Sequence, residues 1–212
     1  HSIPDAAGLI ISTPMGTVVH SGDFKLDYTP VHGKPTDLSR LAQLGAQGVL
    51  LLLSDSTYAE LLGYTPSERL VGETLERVMA EAPGRVIVTT FSSLVSRIQQ
   101  VIDAAAKHQR RVFIIGRSMS DIVHMALEGG YLKAPDGILA RLDELKGMPH
   151  NRVVFITTGS QGEPTSALVR IANRDHRQVH IIRGDTVVLS ATPVPGNESL
   201  INRTVDSLFK QG

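Results

Sequence analysis

After residue 40 the chain alternates short apolar runs with amphipathic stretches, and this alternation constrains the fold more than any other feature. A short helix is expected over residues 38–45, then a buried-strand run over 48–53, a helix over 66–82, a strand over 85–90, a helix over 92–108 and a strand over 111–115. A helix over 118–127 and a Gly/Pro/Lys-rich stretch to residue 150 follow. The remainder reads as a strand over 152–157, a helix over 164–172, strands over 180–182 and 186–190, and a last helix over 198–210. These strand runs are nearly continuously apolar, which is how strands covered on both faces read. The pattern predicts an α/β fold with a mostly parallel β-sheet flanked by helices. It contains no internal repeat and no low-complexity segment.

Upstream, residues 8–13 and 17–20 are apolar runs around Pro14-Met15-Gly16, the pattern of a β-hairpin. A hairpin returns its outer ends to one place, so residues 1–6 and 20–23 are expected to be neighbours. That places the His1 imidazole near the Asp23 carboxylate. Imidazole and carboxylate are ligand types of Zn²⁺ and Mn²⁺ hydrolase sites, and two of them are fewer than such a site needs. The alternative is a terminal histidine with no role and an aspartate that caps a turn.

In an open parallel sheet, ligands lie beyond the carboxyl ends of the strands. The polar signatures fall at those ends: Asp55 after the 50–53 run, Phe91-Ser92-Ser93 after 86–90, Gly116-Arg117-Ser118 after 112–115, and Thr158-Gly159-Ser160-Gln161-Gly162-Glu163 after 153–157. Glycine lets backbone approach an anion, and amides at a helix start point toward one, so this edge suits a phosphate or sugar-phosphate chain. Each element alone has a plainer reading, since Ser92, Ser118 and Pro164 stand where helix caps belong and the glycines where turns do.

Other chemistries are excluded by what the sequence lacks. With no cysteine in 212 residues there is no disulfide, Fe–S cluster or thiolate zinc site, which suits a reducing, cytoplasmic setting. No run approaches the roughly 20 apolar residues of a membrane span. The formal charge is zero, so no global field draws the chain to nucleic acid and any such contact is local. The Gly159 loop is neither GxxxxGK[ST] nor GxGxxG, and no GxSxG elbow exists. None of the eight histidines forms an H-x-H pair, so the chain does not assemble a dinuclear metal centre by itself. With neither an initiator Met nor a signal pattern, residue 1 is not expected to be the biological start.

Six segments, taken in order, resemble signatures of bacterial ribonuclease J, of the β-CASP group of metallo-β-lactamase-fold nucleases. They are residues 1–6 (HSIPDA), 21–27 (SGDFKLD), 53–57 (LSDST), 116–119 (GRSM), 158–164 (TGSQGEP) and 193–198 (PVPGNE). The resemblance implies a β-hairpin remnant of a metallo-β-lactamase domain over residues 1–40, then a β-CASP domain over 41–212. It also implies that His1 and Asp23 are metal ligands, Asp23 and Asp55 are catalytic, and Ser93, Arg97, Gly116, Arg117, Ser118, Gly159, Ser160, Gln161 and Glu163 face RNA. The family pattern carries Asn and His where Leu94 and Ser96 stand here.

The activity implied for the intact protein is hydrolysis of RNA, 5′-exo and endo, with two divalent metal ions, Zn or Mn, in a cytoplasmic homo-oligomer. This fragment is expected to coordinate neither ion fully and to be inactive alone. Two other readings remain open at this stage: another β-CASP nuclease acting on DNA or pre-mRNA, and a non-catalytic nucleic-acid or nucleotide-binding α/β module.

Overall fold

The computed structural model describes residue 3 and residues 5–211. Its compact units divide between Val71 and Gly72. In the first, β1 (Leu9–Thr13) and β2 (Gly16–His20) pair antiparallel, and β3 (Leu51–Leu53) joins β2 in parallel. The hairpin turn is closed by Thr13, whose hydroxyl donates to Gly16 O at 2.8 Å and accepts from Met15 N–H at 3.2 Å. Its open end comes together as the register requires. A Cβ added at Gly8 would lie 3.1 Å from His20 O, and one at Gly22 (φ +61°) 2.7 Å from Ala7 O. His1 lies outside the described residues.

Helix α1 (Leu38–Gln47) starts at Asp37, whose carboxylate accepts the Arg40 N–H at 2.9 Å, and ends at Gly48. The 48–53 run does not behave as a buried strand: Leu51, Leu52 and Leu53 are all exposed, Leu52 at 60%. Nothing among the described residues covers them, and β3 belongs to the hairpin's sheet.

The second unit holds a five-stranded, all-parallel sheet in the order β6-β5-β7-β4-β8, formed by β4 (Val86–Thr89), β5 (Arg111–Ile115), β6 (Leu139–Ala140), β7 (Val153–Thr157) and β8 (Thr186–Leu189). Successive residues of a strand point to opposite faces, and here both faces are buried. Ile87, Phe113, Phe155 and Val153 pack with Leu168 and Ile171 of α5 (Ala167–Ala172). Val86, Val88, Val112, Val154 and Ile156, of the opposite pleat, are equally inaccessible. Helix α3 (Val95–Lys107) rests on β5 and β7, and α4 (Arg117–Glu128) on β5. The Phe113 and Phe155 rings lie 5.7 Å apart, with the Arg85 guanidinium 5.4 Å from the Phe155 ring centre.

Helix α2 (Glu68–Glu81) precedes the sheet, and α6 (Glu198–Phe209) follows it, touching α5. Two further elements differ from the sequence reading. Residues 180–182 form no strand, because their backbone is bonded to side chains: His180 O accepts from Arg85 Nη2 at 2.7 Å and Ile182 N–H donates to Asp185 Oδ2 at 2.9 Å. The Gly/Pro/Lys-rich stretch to residue 150, for which no element is expected, supplies β6 and a 3₁₀ turn at Leu142–Leu145. Among the described residues no helix is long and apolar enough to cross a membrane.

Candidate functional site

All strands of the larger sheet run the same way, so the segments that follow them share one edge. The ladder continues past the strands: Thr90 N–H donates to Thr157 O at 3.1 Å and Ser190 N–H to Thr89 O at 2.8 Å. Residues 90–93, 116–118, 158–163 and 190 are thereby held side by side. The strand before Asp55 differs from the sequence reading, because β3 belongs to the other sheet.

On that edge the expected RNA-facing residues divide by exposure. Ser93, Arg117, Ser118 and Glu163 are exposed. Gly116 (φ +101°) precedes α4, where a Cβ would meet Thr158 Oγ1 at 3.5 Å. Arg97 is buried, with Nη1 donating to Ser190 O at 2.8 Å and to Ser190 Oγ at 2.7 Å. Its guanidinium ties α3 to the segment after β8.

Gly159, Ser160 and Gln161 are also buried. Gln161 Nε2 donates to Thr192 O at 3.0 Å while its Oε1 accepts the Val194 N–H at 2.7 Å, so this side chain fixes the loop before α6. A Cβ at Gly162 (φ +73°) would fall 2.6 Å from the Leu200 carbonyl carbon, and one at Gly159 (φ +111°) 2.5 Å from Ser166 Oγ. These glycines let the loop lie tight against α6 and the start of α5. The sequence reading passed over Thr90 and Ser190, which close the edge from below.

In the first unit the turns after β2 and β3 are joined. Ser21 N–H donates to Leu53 O at 2.9 Å, and Asp55 N–H donates to Ser21 Oγ at 2.9 Å. Hydrogen bonds from the Thr57 hydroxyl (2.7 Å) and the Thr57 N–H (3.0 Å) hold the Asp55 carboxyl below the usual carboxylate range. They outweigh the upward push of burial, and the Phe24 N–H adds to them. Asp23, beside Phe24, is exposed. The structure thus brings the Asp23 and Asp55 turns together.

Further along, Asp27 Oδ2 accepts from Ser67 Oγ at 3.0 Å and from Glu68 N–H at 2.9 Å, capping α2 from a distant loop. Burial raises the Asp27 carboxyl, and these bonds with the Thr29 N–H bring it below its ordinary value. Lys25 pairs with Glu68 at 3.1 Å in the same clamp. Oxygen donors such as Asp23 suit a divalent cation, but among the described residues no three His, Cys, Asp or Glu side chains converge to hold one. The described residues do not constitute a metal site on their own.

The fold compares with a crystal structure of a protein of unknown function from Enterococcus faecalis V583, at TM-score 0.56 and 15% identity over 98% of this chain and 54% of that one. A family model described as the β-CASP domain of ribonuclease J matches residues 83–208. Over its whole length the chain is 52% identical to Ribonuclease J of Thermus thermophilus, 49% to Ribonuclease J of Synechocystis and 43% to Ribonuclease J2 of Bacillus subtilis. It spans 37%, 33% and 38% of those proteins. The α/β sheet and its loops are therefore those of a known nuclease-associated domain class, and the chain belongs to the ribonuclease J β-CASP family.

Proposed function

We propose that the chain is the RNA-binding β-CASP portion of a metal-dependent ribonuclease that cleaves RNA phosphodiester bonds from the 5′ end and internally. The observation that carries this is the shared edge of the five-stranded sheet, where loops after four parallel strands converge within the family-matched segment. On this reading Arg117 pairs with a phosphate through its planar fork, while the Ser118 and Ser93 hydroxyls donate to phosphate oxygens. Gly116 lets backbone approach the chain, and Glu163 lies at the margin. Gly159, Ser160 and Gln161 shape the loop and Arg97 braces it.

Residues up to Val71 are read as the end of a metallo-β-lactamase segment. The boundary is drawn at 71/72 rather than 40/41 because β3 completes the hairpin's sheet. There, His1 and Asp23 are assigned as two of the ligands to a pair of divalent cations, zinc or manganese, with the others supplied by parts of the intact protein beyond the matched segment. Such ions, when bound, stabilise negative charge developing on a phosphodiester. Asp55 positions the Asp23 turn through the Ser21 and Phe24 contacts. The intact protein is assigned to the cytoplasm, and the bare strands of the first sheet favour its association with further copies or domains.

Fluorescence anisotropy with a 5′-monophosphorylated single-stranded oligoribonucleotide tests the edge. Arg117→Ala is expected to weaken binding about tenfold, within the ~1–3 kcal/mol of a bidentate arginine contact, and to reduce the salt slope by about one. Unchanged affinity would remove the edge as the RNA site. The 212-residue chain is expected not to cleave RNA, and chelator-sensitive cleavage by it would overturn the assignment of missing ligands.

A further inference from the structure

The opposite edge of the same sheet, where β4, β5 and β7 begin, holds a pocket of about 380 Å³ between the end of α2, the turn from α3 into β5 and the residues before β7. Three basic side chains line it: His108, Arg110 and Arg152. Arg111 is opposite Val153, so Arg110 and Arg152 stand on adjacent chain segments, at the roughly 4.8 Å spacing of neighbouring strands. Arg110 is buried, and its guanidinium donates to the carbonyls of Met79 (3.2 Å), Ala82 (2.6 Å) and Gly84 (2.7 Å), closing the end of α2. These acceptors are all carbonyls, and among the described residues no carboxylate pairs with it.

Arg152 donates Nη1 to Gln109 O and Gln109 Oε1, both at 2.8 Å, and no carboxylate among the described residues pairs with it. The Nε2 atom of His108 is buried with no hydrogen-bond partner. A buried polar atom without a partner costs about 1–3 kcal/mol, and two guanidiniums side by side repel. Burial, and then the charge of Arg152, depress the Arg110 pKa, in keeping with that repulsion. An anion in the pocket would offset the repulsion between the two guanidiniums. The pocket is also lined by the exposed Glu81, whose carboxylate is an acceptor and not a donor. The pocket therefore offers both cationic groups and an acceptor, in a volume within the ~300–1,000 Å³ of small-molecule sites.

We propose that this pocket binds a phosphate ester carrying a nucleobase, at mononucleotide size. Arg152 and His108 hold the phosphate, and an N–H donor of the base faces Glu81. Arg110 keeps the wall closed and adds charge. The site lies across the sheet from the edge assigned to RNA, and its ligand is bound rather than cleaved.

Isothermal titration of the 212-residue chain with GMP, AMP, inorganic phosphate and a short oligoribonucleotide tests the proposal. A mononucleotide is expected to bind, with Arg152→Ala and His108→Ala each weakening it at least tenfold and Arg117→Ala leaving it unchanged. His108→Gln, which keeps an N–H donor, is expected to retain most of the affinity, so a fold defect in His108→Ala is distinguishable from a lost contact. Glu81→Gln is expected to weaken a nucleotide more than phosphate. Absence of nucleotide binding, binding indifferent to Arg152 and His108, phosphate binding as tight as the nucleotide's, or binding confined to the oligoribonucleotide would each overturn the assignment.

Discussion

Two strands of similar composition end in opposite surroundings. Leu51-Leu52-Leu53 of β3 and Val153-Val154-Phe155-Ile156 of β7 are both unbroken apolar runs, yet the first is exposed throughout and the second wholly buried. The difference does not lie in the strands. Helices α3 and α5 and the neighbouring β4 and β5 enclose β7, whereas β3 is a short edge strand with only β2 beside it. An apolar strand states that something covers it, and it does not state that the cover lies within the same stretch of chain.

The sharpest way to break this comparison is to truncate one residue in each run. Phe155→Ala removes a fully buried ring tilted against Phe113 and is expected to cost about 3–5 kcal/mol. Leu52→Thr is expected to stay within about 0.5 kcal/mol. Urea unfolding of both variants measures the gap, and a Leu52→Thr cost above about 2 kcal/mol would mean that β3 is covered in solution.

A smaller effect is expected at the clamp of the first unit. Asp27→Ala removes the acceptor for Ser67 and Glu68 at the start of α2 and is expected to cost about 1 kcal/mol, as lost helix caps do. Thermal melts followed by circular dichroism report it, and no change in midpoint would show that Ser67 caps the helix unaided.

The smallest is a pH effect in the second unit. His176 Nδ1 accepts the Val179 N–H at 3.1 Å, and burial, with the charges of Arg170 and His180, pushes the imidazole below its ordinary 6.5. The unfolded chain then binds the proton more readily. Stability contributed by neutral His176 is complete above pH 6.5, falls as pH drops toward the lowered folded value, and levels off below it. His176→Asn, which keeps an acceptor, is expected to flatten that interval in melts run across it.

How much of this was legible follows from what kind of fact each residue records. The strands at 86–89, 111–115 and 153–157 were read within a residue or two, because apolar runs and their helical spacers are local properties. The shared edge followed from the same alternation, since parallel strands put their carboxyl ends together. Arg97 and Gln161 could not be read, because their partners Ser190 and Val194 lie over thirty residues away and a guanidinium looks the same whether it meets a phosphate or a carbonyl. The missing strand at 180–182 has a similar cause: Arg85 and Asp185 capture backbone groups that an apolar pattern offers to a ladder. The cationic pocket did leave a trace, in arginines placed immediately before β5 and β7 at positions 110 and 152.

The order β6-β5-β7-β4-β8 has a temporal consequence. β4 and β5 follow one another along the chain but are not neighbours, because β7 lies between them. As the polypeptide leaves the ribosome, both wait for residues 153–157 before either can make its principal pairing. Until then two sticky ribbons are held apart only by helices that lack their final support. Folding here is expected to be slow, to commit late, and to depend on the arrival of the middle strand, which makes translation rate and chaperone access the practical determinants of yield.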